Sequence, residues 1–135
     1  MNAQDEIHAI KSALFPKVEK HLLAMKTRSM VDDNGHCAYR GDGGAMCAVG
    51  VLIPDDRYNE KFDALFMPVS SVLSAIPELD GIPEPVKKAI ANWLASIQHI
   101  HDHYDRWKAS GLTDAAKAEL QRLNPANDMQ TKDQV

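Results

Sequence analysis

The chain has 135 residues, 44% of them hydrophobic and 25% charged, the size and make-up of one ordinary globular domain. A domain of this length buries roughly two-thirds of its unfolded surface and needs no disulfide or metal to hold it folded. The net charge of −4 weighs against direct nucleic-acid binding, which calls for a basic patch, and suits contact with a basic protein surface.

Apolar residues at Ile7, Ile10, Leu14, Val18, Leu22 and Met25 recur in steps of three and four, so Asp5 to Met25 is expected to be an amphipathic helix. Pro16 falls inside it and predicts a kink or a division into two helices. Lys26 to Gly35 is a polar connection with an Asp33-Asn34-Gly35 turn signal. Cys37 to Arg40 and Ala45 to Ile53 flank Gly41-Asp42-Gly43-Gly44, which reads as a short β-hairpin. A turn centred on Asp42 would place Cys37 across from Cys47, within the ~4.5–5.5 Å Cα spacing of a cross-strand pair. One slipped residue would put the two thiols on opposite faces.

Ile53-Pro54-Asp55-Asp56 reads as a strand end followed by a turn. Pro68 opens a short helix over Val69, Val72, Leu73 and Ile76, stopped by Pro77. Asp80-Gly81 with Pro83 and Pro85 is a loop. The strongest helix spans Glu84 to Ser110, with a stripe of Val86, Ile90, Trp93, Leu94, Ile97, His101 and Tyr104, ended by Gly111. Thr113 is the expected N-cap of a last helix with Leu112, Ala116, Leu120 and Leu123 apolar. The expected fold is therefore mainly α with a small β-hairpin (α+β), a single compact helical domain over 1–123, with 124–135 a disordered tail.

No run approaches the ~20 apolar residues of a membrane span. The polar, acidic start Met1-Asn2-Ala3-Gln4-Asp5-Glu6 lacks the features of a signal peptide, so a cytoplasmic location is expected. In a reducing compartment two cysteines are more often free thiols or metal ligands than a disulfide.

Both cysteines and four of the seven glycines lie in the eighteen residues from Cys37 to Pro54. The C-x9-C spacing is not the C-x2-C of a zinc knuckle or thioredoxin-type site. Two buried thiols are one reading. A zinc site is another, with Cys37, Cys47, His36 and His101 as its ligands. A catalytic thiol is a third, with Cys47 or Cys37 as nucleophile and His101 or His21 as base. Asp102 is a poor orienter for His101, because neighbouring helical side chains point about 100° apart. His101 lies on the apolar stripe, whereas His99 and His103 share a face expected to be solvated. The glycine-rich stretch matches neither a Walker A loop nor a dinucleotide fingerprint, which excludes nucleotide binding of those kinds. Arg40, Asp42, Asp55, Asp56 and Tyr58 surround the hairpin as candidate contact residues. An ion pair between Arg40 and one of the aspartates is expected.

These residues resemble a family of small uncharacterised proteins of tailed phages and prophages. The resemblance rests on His21-Leu22-Leu23, on Cys37, Tyr39, Arg40, Gly44, Cys47, Ala48, Gly50, Leu52, Ile53, Pro54, Asp55 and Tyr58, and on His101-Asp102. It covers about residues 7 to 108, and its middle segment is its specific part. It transfers no catalytic residue. It implies a phage-encoded accessory protein that acts in the bacterial host cytoplasm. The function expected from it, together with the size and acidic balance, is binding and inhibition of a host protein or ribonucleoprotein complex, in the manner of an anti-CRISPR protein. Such a protein has no cofactor, no direct nucleic-acid contact and no membrane partner. The alternatives are a cysteine/histidine-dependent hydrolase and a zinc-stabilised binding module. The absence of an assembled catalytic motif points away from an enzyme. The oligomeric state is open.

Overall fold

A computed structural model of the chain describes residues 2–26, 38–41, 46–65, 67–103 and 106–127. Helix α1 runs from Ala3 to Ala24. Asn2 caps it, its Oδ1 accepting the Asp5 N–H at 2.8 Å, and Asp5 and Glu6 sit at the positive end of the helix dipole. The helix continues through Pro16 instead of dividing there. An interior proline costs about 3 kcal/mol. Leu14, Val18 and Leu22 are completely buried, at about 1.5–3 kcal/mol each, and together they outweigh that cost. Pro16 itself lies on the exposed side, as does Ser12, whose carbonyl the proline deprives of its helical partner.

Among the described residues the first β contact is an antiparallel bridge between Arg40 and Met46. It joins one residue from each of the strands expected over Cys37–Arg40 and Ala45–Ile53, across the expected Gly41–Gly44 reversal. The bridge is centred on Gly43 and not Asp42, so its register sets Tyr39, not Cys37, level with Cys47. His36, Cys37, Asp42 and the 33–35 turn lie outside the described residues. Past Met46 the chain leaves the extended form and enters a 3-10 turn, Gly50–Leu52. The cause is burial on every side. Cys47, Ala48, Val49 and Gly50 are all buried, whereas a strand of a two-stranded hairpin alternates between core and solvent. At Gly50 the backbone runs so close to Tyr39 that a Cβ would stand 2.1 Å from the Tyr39 carbonyl oxygen.

A turn over 54–57 follows, closed by the Arg57 and Tyr58 N–H groups on the Pro54 carbonyl. Two short helices come next, α2 (Lys61–Ala64) and α3 (Val69–Val72), the latter prolonged by a 3-10 turn, Leu73–Ala75. Pro77 opens another 3-10 turn, Pro77–Leu79. Helix α4 spans Glu84–Asp102, and Val86, Ile90, Trp93, Leu94, Ile97 and His101 of its expected stripe are all buried. It ends eight residues short of the expected Ser110. The chain turns back there, and the Trp107 indole N–H donates to the His101 carbonyl at 2.8 Å. Strands β1 (Trp107–Lys108) and β2 (Gly111–Leu112) then pair antiparallel, Trp107 with Leu112 and Lys108 with Gly111. Gly111, expected to cap the helix, is instead a strand residue at φ +128°, a conformation that favours glycine.

Thr113 caps α5 (Asp114–Arg122), accepting the Ala116 N–H at 3.1 Å. Asn124 and Pro125 then open one further helical turn over 125–127, residues that composition alone places in a tail. Residues 128–135 lie outside the described set. Phe15 of α1 meets Trp93 of α4 with ring centroids 6.4 Å apart, and the Trp93 indole N–H donates to the Leu123 carbonyl at 2.8 Å. One buried cluster runs from Ile10 through the 47–53 segment, α3 and α4 to Leu120. The fold is mainly α with a small antiparallel hairpin, placed at 107–112. No described helix is long and apolar enough to cross a membrane.

Candidate functional site

Two polar networks converge on the segment that follows the Arg40–Met46 bridge. The first joins it to α1 and α4. The His21 Nε2–H donates to the Met46 carbonyl at 2.6 Å. One turn on, the Gly50 N–H meets the Cys47 sulfur at 3.2 Å, and the Val49 N–H donates to Gln98 Oε1 at 3.1 Å. The Gln98 amide in turn donates to Asp102 Oδ1 at 2.7 Å, and His101 Nδ1 lies 2.9 Å from the same oxygen. A carboxylate accepts, so this ring nitrogen carries the proton. The His101 ring is completely buried and meets the Trp107 ring edge-on at 5.9 Å.

Asp102 therefore does orient His101, contrary to the helical-angle argument. It is the last residue of α4, where no following helical turn hems in its side chain, and the carboxylate folds back onto the neighbouring ring.

The chemistry this places around Cys47 is not that of a nucleophile. The sulfur is completely buried. Burial pushes the thiol up to about 12; the Gly50 N–H acts the other way and the Asp102 charge adds to the rise. Reactive cysteines need the reverse, a cationic neighbour and access to water. His21, nominated as a base, has its Nε2 proton committed to the Met46 carbonyl. Of the four nominated metal ligands, Cys47 and His101 are in this network, and His36 and Cys37 lie outside the described residues. Among the described residues no three His, Cys, Asp or Glu side chains are grouped closely enough to hold a metal ion. His99 and His103 are exposed, as expected, with ring centroids 3.8 Å apart.

The second network is built on Asp63, a buried carboxylate of α2. Its Oδ1 accepts the Tyr39 N–H at 2.7 Å, and its Oδ2 accepts the Arg40 N–H at 3.1 Å and the Tyr58 hydroxyl at 2.5 Å. The Tyr39 hydroxyl donates to the Met67 carbonyl at 2.6 Å. With its backbone fixed in this way, Arg40 lays its guanidinium 4.9 Å over the Tyr58 ring. It donates from Nη2 to the Ile53 carbonyl at 2.6 Å and pairs through Nη1 with Asp55 at 2.6 Å. The expected ion pair is thus Arg40 with Asp55. The Asp55 side chain is 91% exposed against 22% for Arg40, so the carboxylate is the outer member. Asp56 is exposed on the same turn.

Of the five nominated contact residues, the structure brings Arg40, Asp55 and Tyr58 together and sets Asp56 beside them. Asp42 lies outside the described residues. Sequence reasoning missed the two side chains that organise the networks. Gln98 carried a signal, a polar residue on the apolar stripe three residues before His101 and four after Leu94. Asp63 carried only its setting, a carboxylate between Phe62 and the apolar run Ala64-Leu65-Phe66-Met67, and nothing local pointed to its partners.

No family model, curated protein or solved structure matches the chain.

Proposed function

We propose that this is a partner-binding protein, which works by docking on another macromolecule and not by turning over a substrate. In the phage setting that its Cys37–Tyr58 segment resembles, the partner is a protein or ribonucleoprotein complex of the bacterial host, and binding blocks it. The observation that carries this reading is the state of Cys47, whose sulfur is sealed from water and whose thiol is pushed up to about 12. A group so placed contributes packing and not chemistry. The polar groups that do reach the surface beside it, Arg40, Asp55 and Asp56, stand on a base fixed by Asp63. Arg40, held through its backbone N–H, its guanidinium and the Tyr58 ring, loses little conformational entropy on association, which suits a docking surface.

The test is co-purification of the tagged chain from several bacterial hosts, with a photo-crosslinking residue at position 56. A single host protein recovered at stoichiometric yield, cross-linked from position 56 and lost in the Asp55→Ala/Asp56→Ala variant, is the expected result. Failure to recover a stoichiometric partner from any host overturns the reading.

A further inference from the structure

A second surface, made of residues outside both networks, has a different character. A groove of about 770 Å³ lies between α3 with its 3-10 extension and the first turns of α4. Leu73, Pro85 and Ala91 supply its apolar lining, and Ser70, Ser74 and Asn92 stand along it. The hollow follows from the local sequence. Helix α3 is only four residues long before it tightens at Leu73–Ala75, and α4 presents at this crossing the small side chain of Ala91.

Charge sets the groove apart from the rest of the molecule. The chain as a whole is at −4, yet two consecutive lysines, Lys87 and Lys88, line this hollow against one carboxylate, Glu84. Lys87 is near enough to Asp80 to help hold that carboxyl below its ordinary range. Lys88 is exposed and has no ion pair with any described carboxylate. The groove thus combines an apolar floor with a rim on which two lysines face one carboxylate, Glu84.

We infer that it takes an acidic segment of a partner protein. An apolar side chain of that segment would lie over Leu73 and Ala91, and its flanking carboxylates would meet Lys87 and Lys88. Charge complementarity selects this occupant. Nucleic acid would find two lysines and no aromatic platform on which to stack a base. The inference goes beyond the docking rim proposed above, and uses neither Arg40 nor Asp56.

The experiment measures fluorescence anisotropy of short labelled peptides, each with one leucine or phenylalanine between glutamates, on the full chain. Lysine-flanked counterparts serve as controls. The acidic peptides are expected to bind and to weaken as salt is raised. Lys88→Glu should reduce their affinity by about tenfold or more, and Lys88→Arg should retain it. Ala91→Leu, which fills the floor, should also weaken them. Lys88 is exposed, so its variants leave the fold intact, and unchanged circular dichroism and urea midpoint check this. The proposal is overturned if lysine-flanked peptides bind as well as acidic ones, if none of the acidic peptides binds, or if Lys88→Glu binds them undiminished. Concentration-dependent dimerisation abolished by Ala91→Leu would also overturn it, by assigning the groove to a second copy.

Discussion

The Asp63 carboxylate accepts the backbone N–H of Tyr39, 24 residues earlier in the chain, at 2.7 Å. With the adjacent Arg40 N–H on its other oxygen, one side chain satisfies two donors of a segment that makes, among the described residues, one β bridge. Removing it leaves both donors without their acceptor, at about 1–3 kcal/mol for each buried group. Asp63→Ala is expected to destabilise the protein by about 2–4 kcal/mol. Asp63→Asn should fall in between, because it keeps one acceptor oxygen and presents an amide donor where the second stood. Urea unfolding at constant m-value measures both. A loss below about 0.5 kcal/mol for the alanine variant, the range of ordinary surface substitutions, would show that the carboxylate is not what holds the 38–41 segment.

Two glycines make the same point through sterics. At Gly50 a Cβ would stand 2.1 Å from the Tyr39 carbonyl oxygen, a backbone atom that cannot swing aside. Gly50→Ala should cost about 3 kcal/mol or more, above the ordinary range for overpacking. At Gly111 the backbone is at φ +128° and a Cβ would lie 2.8 Å from the Met25 carbonyl oxygen. Gly111→Ala should cost about 1–3 kcal/mol in strain alone. Gly81, at φ +73° with open space around it, is the control; alanine there should be the mildest of the three by thermal unfolding.

The parts of this fold that were legible in the sequence are those where local periodicity and burial agree. The α4 stripe from Val86 to His101 repeats every three or four residues because one face meets the core throughout. Thr113 was legible as a cap because its hydroxyl acts three residues away. The expected hairpin is met by the Arg40–Met46 bridge, but its second strand was expected to run on to Ile53, for a physical reason. Cys47 to Gly50 is apolar because it is buried on all sides, and a short apolar run looks the same as a strand. The real strands at 107–112 are two residues each, too short to show alternation. Asp63 escaped notice because its partners are backbone groups more than twenty residues away, which no local pattern encodes.

The Arg57–Asp80 pair joins the 54–57 turn to the loop before α4 through two bonds, 2.9 and 2.8 Å. The Arg57 guanidinium holds the Asp80 carboxyl below its ordinary value of 3.8. A carboxylate lowered on folding adds stability that is present above its unfolded value and is lost as pH falls through its lower folded value. Both side chains are solvent-exposed, so the contribution is small and screened by salt. Asp80→Asn should lower the thermal midpoint slightly at neutral pH and low salt. The difference from wild type should shrink as pH falls below 3.8, vanish once the folded-state carboxyl is protonated, and shrink as salt is raised; a difference unchanged by acid or salt would refute the assignment to this ion pair.

The sealed thiol gives the prediction that bears most directly on function. Burial holds Cys47 at about 12 against an ordinary value of 9.0. In the unfolded chain the thiol releases its proton above pH 9; in the folded chain it keeps it. The folded state then binds more protons than the unfolded one, so unfolding free energy falls as pH rises from 9 towards 12. Burial raises Tyr39 and Tyr58 as well, above their ordinary 10.0, which adds loss of the same sign above pH 10. Between pH 9 and 10 the cysteine contributes the larger share of this loss. In a Cys37→Ser background, stability by urea unfolding should decline across that window, and the further replacement Cys47→Ala should make the decline clearly shallower while costing some stability at every pH. In the same background, iodoacetamide at pH 7 should label the folded protein at least roughly a hundredfold more slowly than the urea-unfolded chain. Labelling of the folded protein at the rate of a small-molecule thiol would mean that Cys47 is accessible and ionised. It would put the alternative cysteine-hydrolase reading ahead of partner binding.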